Sequence, residues 1–312
     1  MNMDTYYLRE AIHYYHTKIQ ETNDPYYWYY LADAQARAGL TDQALQTIDH
    51  ALSFPNPYPS KQGLLEMQAK LQPVLSRQMN QNSPSVVTVK RGDIDGDGII
   101  DNVLLTANKT PDSPFWQNIT LAIQNGRTHH YQQIPLKNNA GYNPTLFLGD
   151  FTGNKVDDIL VVIDTGGSGG GIYAYVFSYM DGQMRQIFNS DAFNEHYKYD
   201  VAYENQYKAT VISYNLKEKY ILDLTYKGKE YLSEIYNQDG ILKTPIKGWV
   251  NPLSGLYPID FNRDGTYELE AYQRIAGRYN ADGLGYVQTV LKWNGRVFSP
   301  DRQTVAIFGG EI

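Results

Sequence analysis

The residues best placed to do chemistry are the carboxylates of the stretch Asp93-Ile94-Asp95-Gly96-Asp97-Gly98-Ile99-Ile100-Asp101. Asp93, Asp95, Asp97 and Asp101 stand at positions 1, 3, 5 and 9 of one short segment, with Gly98 at position 6 and the carbonyl of Ile99 at position 7. Alternate positions of a tight loop turn inward, a glycine permits the sharp bend, and a hard cation is bound by such a shell of oxygens. Carboxylates this close repel one another without a counter-ion. Ca2+ suits the pattern better than Mg2+, which tolerates an all-protein cage poorly.

The spacing recurs. Asp260, Asn262, Asp264 and Glu268 occupy positions 1, 3, 5 and 9 of a second such stretch, with Gly265 at position 6 and Thr266 at position 7. Asp150, Thr152, Asn154 and Asp158 do so in another, where Val156 offers the position-7 carbonyl but Lys155 replaces the glycine. In chain order the first loop is the most complete, the third comes next and the second is a degenerate copy. An EF-hand is excluded, because position 12 is Leu104, Val161 or Ala271 in place of a bidentate glutamate. The same Asp/Gly clusters can also serve as plain turns that hold no metal.

The runs after the loops, such as Ile159-Leu160-Val161-Val162-Ile163, read as short strands. Strand, acidic loop, strand, insert and hairpin occur three times between Val86 and Ser299, and residues 193–250 leave room for one divergent unit. In this D-x-D-x-D-G-x-x-D pattern between strands, residues 84–312 resemble the FG-GAP/VCBS repeat family. That resemblance implies an integrin-like β-propeller with Ca2+ in its loops; a β-sandwich is the alternative.

Residues 4–79 have helical periodicity. Asp4 is placed to cap a first helix, Pro25 to open a second, Gly39 to end it and Thr41 to cap a third. Trp28, Leu31, Ala32, Gly39, Ala44, Ile48 and Ala51 resemble a tetratricopeptide repeat, with Gln35 where that pattern usually has an aromatic. One repeat is too few to bury its own apolar stripe, so the helices are expected to pack on the β domain. Asn80–Pro84 reads as the linker, which divides an α+β multidomain chain into a helical region, 1–80, and a β-repeat region, 84–312.

The 312 residues carry a net charge of −7 and no cysteine, so a nucleic-acid footprint, disulfides and thiolate chemistry are not expected. No apolar run reaches membrane-spanning length. Met1-Asn2-Met3-Asp4 lacks a signal-like apolar segment. The expectation is an extracytoplasmic protein whose export signal or anchor lies outside this chain, with the cytoplasm as the alternative. Gly166-Gly167-Ser168-Gly169-Gly170 matches a nucleophile-elbow pattern formally, but a strand pattern follows it where a helix is required. The six histidines form no metal set. No catalytic residue is assigned. The expected function is therefore a non-enzymatic calcium-binding scaffold with a protein partner. Alternatives are glycan binding on Trp116, Tyr173, Tyr175, Trp249 and Trp293, and a hydrolase using loop carboxylates.

Overall fold

A computed structural model describes residues 3–82, 84–109 and 113–310; the side chains of 3–6, 42 and 72–82, Asp4 among them, lie outside the described residues, as does Pro111. The chain divides into two compact units at the Ser83–Pro84 boundary. No described helix is long and apolar enough to cross a membrane.

The first unit holds α1 (Met3–Thr22), α2 (Pro25–Arg37), α3 (Thr41–Leu52) and α4 (Lys61–Asn82), each packed on the next. Asp24 caps α2 by accepting from the Tyr26 N–H at 2.9 Å, and Pro25 fills the first helical position, where its missing N–H costs nothing. Two details differ from the sequence reading. Leu40, not Thr41, stands at the N-cap position of α3, with no side-chain hydrogen bond to the helix, and Thr41 is its first residue and is buried. The polar run Asn80-Gln81-Asn82 continues α4, because nothing breaks the helix before Pro84. Ala32, Ala44, Ile48, Ala51 and Leu64 are buried, small residues letting the helices approach closely. Gln35, 3% exposed, takes the Thr47 hydroxyl at 2.7 Å, so a buried hydrogen bond replaces the expected aromatic.

The second unit is a series of antiparallel meanders. The first sheet is β1 (Ser85–Gly92), β2 (Asp101–Lys109), β3 (Trp116–Gln124) and β4 (Tyr131–Pro135); the second is β5 (Tyr142–Gly149), β6 (Asp158–Asp164), β7 (Ile172–Met180) and β8 (Gln183–Asn189). Alternation along β6 explains how the sheets stack. Ile159, Val161 and Ile163 join a core shared with β2 and β3 of the first sheet. Leu160 points the other way, into a core with Leu253, Leu269 and Leu291 of the third sheet. A strand covered on both faces reads as a continuous apolar run, as β6 does.

The third sheet has seven strands: β9 (Tyr199–Glu204), β10 (Lys208–Ser213), β11 (Glu218–Asp223), β12 (Lys247–Ile259), β13 (Glu268–Ala276), β14 (Gly283–Trp293) and β15 (Phe298–Ala306), in the order β11-β10-β9-β12-β13-β14-β15. The region expected to form a separate divergent unit is thus a three-stranded piece joined to β12. The joint is Lys247–Gly248 on Val201–Ala202. Gly248 permits it, since a Cβ there would collide with the Ala276 carbonyl and press on Val201. Helices α5 (Ser190–His196) and α6 (Gly228–Ile235) flank this piece and were not legible as helices, being short and rich in polar residues.

Candidate metal centre

Each acidic loop joins two neighbouring strands of one sheet: β1 to β2, β5 to β6, and β12 to β13. The three share one backbone conformation. Position 4 is left-handed at Gly96, Gly153 and Arg263, and position 6 at Gly98, Lys155 and Gly265. Lys155, with φ of 65°, adopts the bend without a glycine, so the second loop is degenerate in composition but not in shape.

The conserved geometry comes from backbone N–H groups that donate to carboxylates. The position-6 N–H reaches the position-1 aspartate in all three loops: Gly98 to Asp93 at 2.8 Å, Lys155 to Asp150 at 2.7 Å and Gly265 to Asp260 at 3.0 Å. The position-7 N–H reaches the position-5 side chain, Ile99 to Asp97, Val156 to Asn154 and Thr266 to Asp264, each within 2.9 Å. The position-2 N–H reaches position 9: Ile94 to Asp101, Phe151 to Asp158 and Phe261 to Glu268. These acceptors organise the turn before any cation is considered.

The loops are also linked to one another. The Asp157 N–H, at position 8 of the second loop, donates to the Asp93 carbonyl at 3.0 Å; the Tyr267 N–H, at position 8 of the third, donates to the Asp150 carbonyl at 2.7 Å. Glycines make room at both joints. A Cβ on Gly92 would collide with the Asp157 carboxylate, and one on Gly149 would press on the Tyr267 ring. Ile259 precedes the third loop where the other two have glycine.

The first loop gathers most charge. One oxygen each of Asp93, Asp95 and Asp101 lie within 4.8 Å of one another. Burial raises the Asp95 carboxyl above the ordinary aspartate value, and the charges of Asp101, Asp97 and Asp93 add to the rise. The β3–β4 turn closes over this site: Asn125 Nδ2 donates to Asp95 at 2.7 Å, the Gly126 N–H to Asp101 at 2.7 Å, and Arg127 Nε to Asp97 at 2.6 Å. The Arg127 hydrogen bond holds Asp97 below its usual range. Asn125-Gly126 is by type a hairpin-turn dipeptide, and nothing local connects it to a loop 30 positions away.

The second loop is different. Asp158 is 1% exposed and burial pushes its carboxyl up to about 6. Its Oδ2 accepts from Phe151 and Thr152, while its Oδ1, like Thr152 Oγ1, has no hydrogen-bond partner among the described residues. In the third loop, Asp264 is held below its usual value by the Thr266 N–H and Asn262, and Lys292 Nζ lies 3.5 Å from Glu268.

The other singled-out residues fall elsewhere. Tyr175 is 2% exposed, its hydroxyl accepting from the Asn138 N–H. Trp116 and Tyr173 pack on the first core, and Trp293 packs on Phe298, leaving Trp249, 40% exposed, as the open aromatic. Ser168 is followed by strand β7, and its hydroxyl accepts from Asn280 Nδ2 at 2.9 Å.

A protein of Bacillus subtilis (strain 168) described as "Uncharacterized protein YybI" is 65% identical over 241 residues, spanning 77% of this chain and 89% of that protein. The chain belongs to the YybI family. The family model described as the YybI C-terminal domain matches residues 197–306, which take in the seven-stranded sheet from near the start of β9 to the end of β15. No solved structure matches the chain. The FG-GAP/VCBS resemblance, with its attached tetratricopeptide segment, is therefore corrected: the family is YybI. The motif misled for a physical reason. An aspartate at position 1 that takes later N–H groups, and an acid at position 9 that takes the position-2 N–H, is a local way to close a strand connection.

Proposed function

We propose that this YybI-family protein is a non-enzymatic, calcium-stabilised β scaffold whose acidic loops pin adjacent sheets together. The observation that carries the reading is the first loop, where oxygens of Asp93, Asp95 and Asp101 converge within 4.8 Å under a closing turn. Asp97 and the Ile99 carbonyl would complete the oxygen set there. Asp260, Asn262, Asp264, Thr266 and Glu268 would form a second site, and Asp150, Thr152, Asn154, Val156 and Asp158 a third. The chemistry of the donors fits Ca2+, since they are all oxygen and mix carboxylate, amide, hydroxyl and carbonyl. Because loop joins loop through Asp93 and Asp150, a cation held in one loop would stiffen the next sheet junction as well.

The stack of antiparallel meanders is, in this reading, propeller-like, and the helices of the first unit offer a surface for a protein partner. An extracytoplasmic location suits the proposal, because loops of this kind bind at the calcium levels found there. With dissociation constants of about 10⁻⁴ to 10⁻³ M, millimolar Ca2+ would add roughly 0.4–1.4 kcal/mol per occupied site. The test is a thermal melt of the metal-free protein with and without Ca2+, paired with calorimetric titration. A calcium-dependent rise in Tm that Asp95→Ala removes is the expected result. An identical melt in Ca2+ and in chelator would overturn the reading.

A further inference from the structure

A second candidate site lies away from the acidic loops, around α6. A cavity of 720 Å3 opens between α6 and the β9–β10 turn. That volume falls within the roughly 300–1,000 Å3 of small-molecule sites. Its apolar wall is Leu232, Tyr236 and Tyr207, the two rings meeting edge-on at 5.0 Å between centroids. Tyr236 is fixed by donating its hydroxyl to the Lys208 carbonyl at 3.1 Å. Tyr207 is presented by the β9–β10 hairpin turn, in which it and Gln206 are both left-handed.

The charge in the wall has one sign. Lys229 and Lys243 line the cavity and no carboxylate does, in a chain whose net charge is −7. Among the described residues neither lysine forms an ion pair; Lys243 Nζ donates to the Ser233 carbonyl at 2.6 Å. Glu230 and Glu234 of α6 are not among the lining residues, and Glu234 is engaged by Arg278 at 2.6 Å. Gly228 at the start of α6 and Tyr236 at its C-terminal cap both line the cavity, so the two ends of the helix dipole face it and the net positive charge there comes from the lysines. An apolar, aromatic-walled cavity with two amines at its rim recognises an apolar body ended by an anion.

We propose that this cavity binds a small monocarboxylate with an apolar body, its carboxylate at Lys229 and Lys243 and its body against Leu232, Tyr236 and Tyr207. The site lies inside the family-matched region and does not depend on calcium at the loops. Calorimetric titration of the full chain with decanoate and 2-naphthoate tests it, with decylamine as the opposite-charge control, in Ca2+ and in chelator. Expected is saturable binding of a carboxylate but not of the amine, with decanoate against naphthoate distinguishing an acyl from an aryl body. Lys229→Glu should weaken binding about tenfold by reversing one charge at the rim. The lysine is in no ion pair and a glutamate in the first turn of α6 suits the helix dipole, so the melt of that variant should not fall; Leu232→Gln should weaken binding independently. No saturable binding of either carboxylate, equal binding of decylamine, or an affinity that Lys229→Glu leaves unaltered would overturn the proposal.

Discussion

The first and second acidic loops have one backbone and differently placed charge. Both bend at positions 4 and 6, and both take the same N–H groups onto positions 1 and 9. In the first, acids at positions 3 and 5 crowd the site, and the turn at Asn125–Arg127 answers them with an amide, an N–H and a guanidinium. In the second, those positions are Thr152 and Asn154; Asp150 is taken up by backbone N–H groups, and Asp158 is the aspartate of the loop that is fully buried. Loop shape is thus set by backbone-to-carboxylate bonds, while under the calcium proposal affinity would depend on how many further charges the loop adds. The two can vary independently, which is why the poorer motif is no poorer a turn.

The largest effect is expected at Asp158. Its carboxyl titrates at about 6 against an ordinary 3.8, so the folded state holds its proton more tightly than the unfolded chain does. Between those values stability falls as pH rises, and above about 6 the penalty is complete. At about 1.4 kcal/mol per unit, it amounts to at most about 3 kcal/mol. In chelator, Asp158→Asn should therefore stabilise the protein at pH 7 by about 1–3 kcal/mol and flatten the pH dependence between 4 and 6, as read by denaturant unfolding. A destabilised variant would show that the charge itself is needed in the second loop.

Next comes the joint between the loops. Gly92→Val should cost about 1–3 kcal/mol, because the added carbons meet Asp157 and Leu148 in a packed junction. The loss should be the same with and without Ca2+ if the joint acts through packing alone.

A crossover between Asp150→Ala and Asp95→Ala would sharpen the comparison further. Asp150 takes N–H groups from Thr152, Gly153, Asn154 and Lys155, so its removal should cost about 1–2 kcal/mol while changing calcium affinity little. Asp95→Ala should do the reverse, relieving repulsion in the metal-free protein and weakening binding about tenfold or more by calorimetry. The opposite order would reverse the ranking of the loops. The smallest effect is expected for Arg127→Ala. The pair with Asp97 is screened by solvent, so the fold should tolerate its loss, and calcium should bind a few-fold more tightly without the competing cation.

By itself the sequence determined the local features. Asp and Gly at fixed offsets dictate a turn, alternation dictates strands on either side of it, and Pro25 and Pro84 limit helices. The β6 run was legible for the same reason, since its neighbours in the chain are enough to show an apolar strand. Other features required the tertiary structure. Arg127 faces Asp97, Asp157 donates to Asp93, and β9 joins β12, each pairing residues far apart in sequence with no local signal. The family likeness was misread because turn chemistry is local and shared by unrelated chains. Charge at Asp158 was equally invisible, because burial is a property of the sheets that close around a residue, not of the residue type.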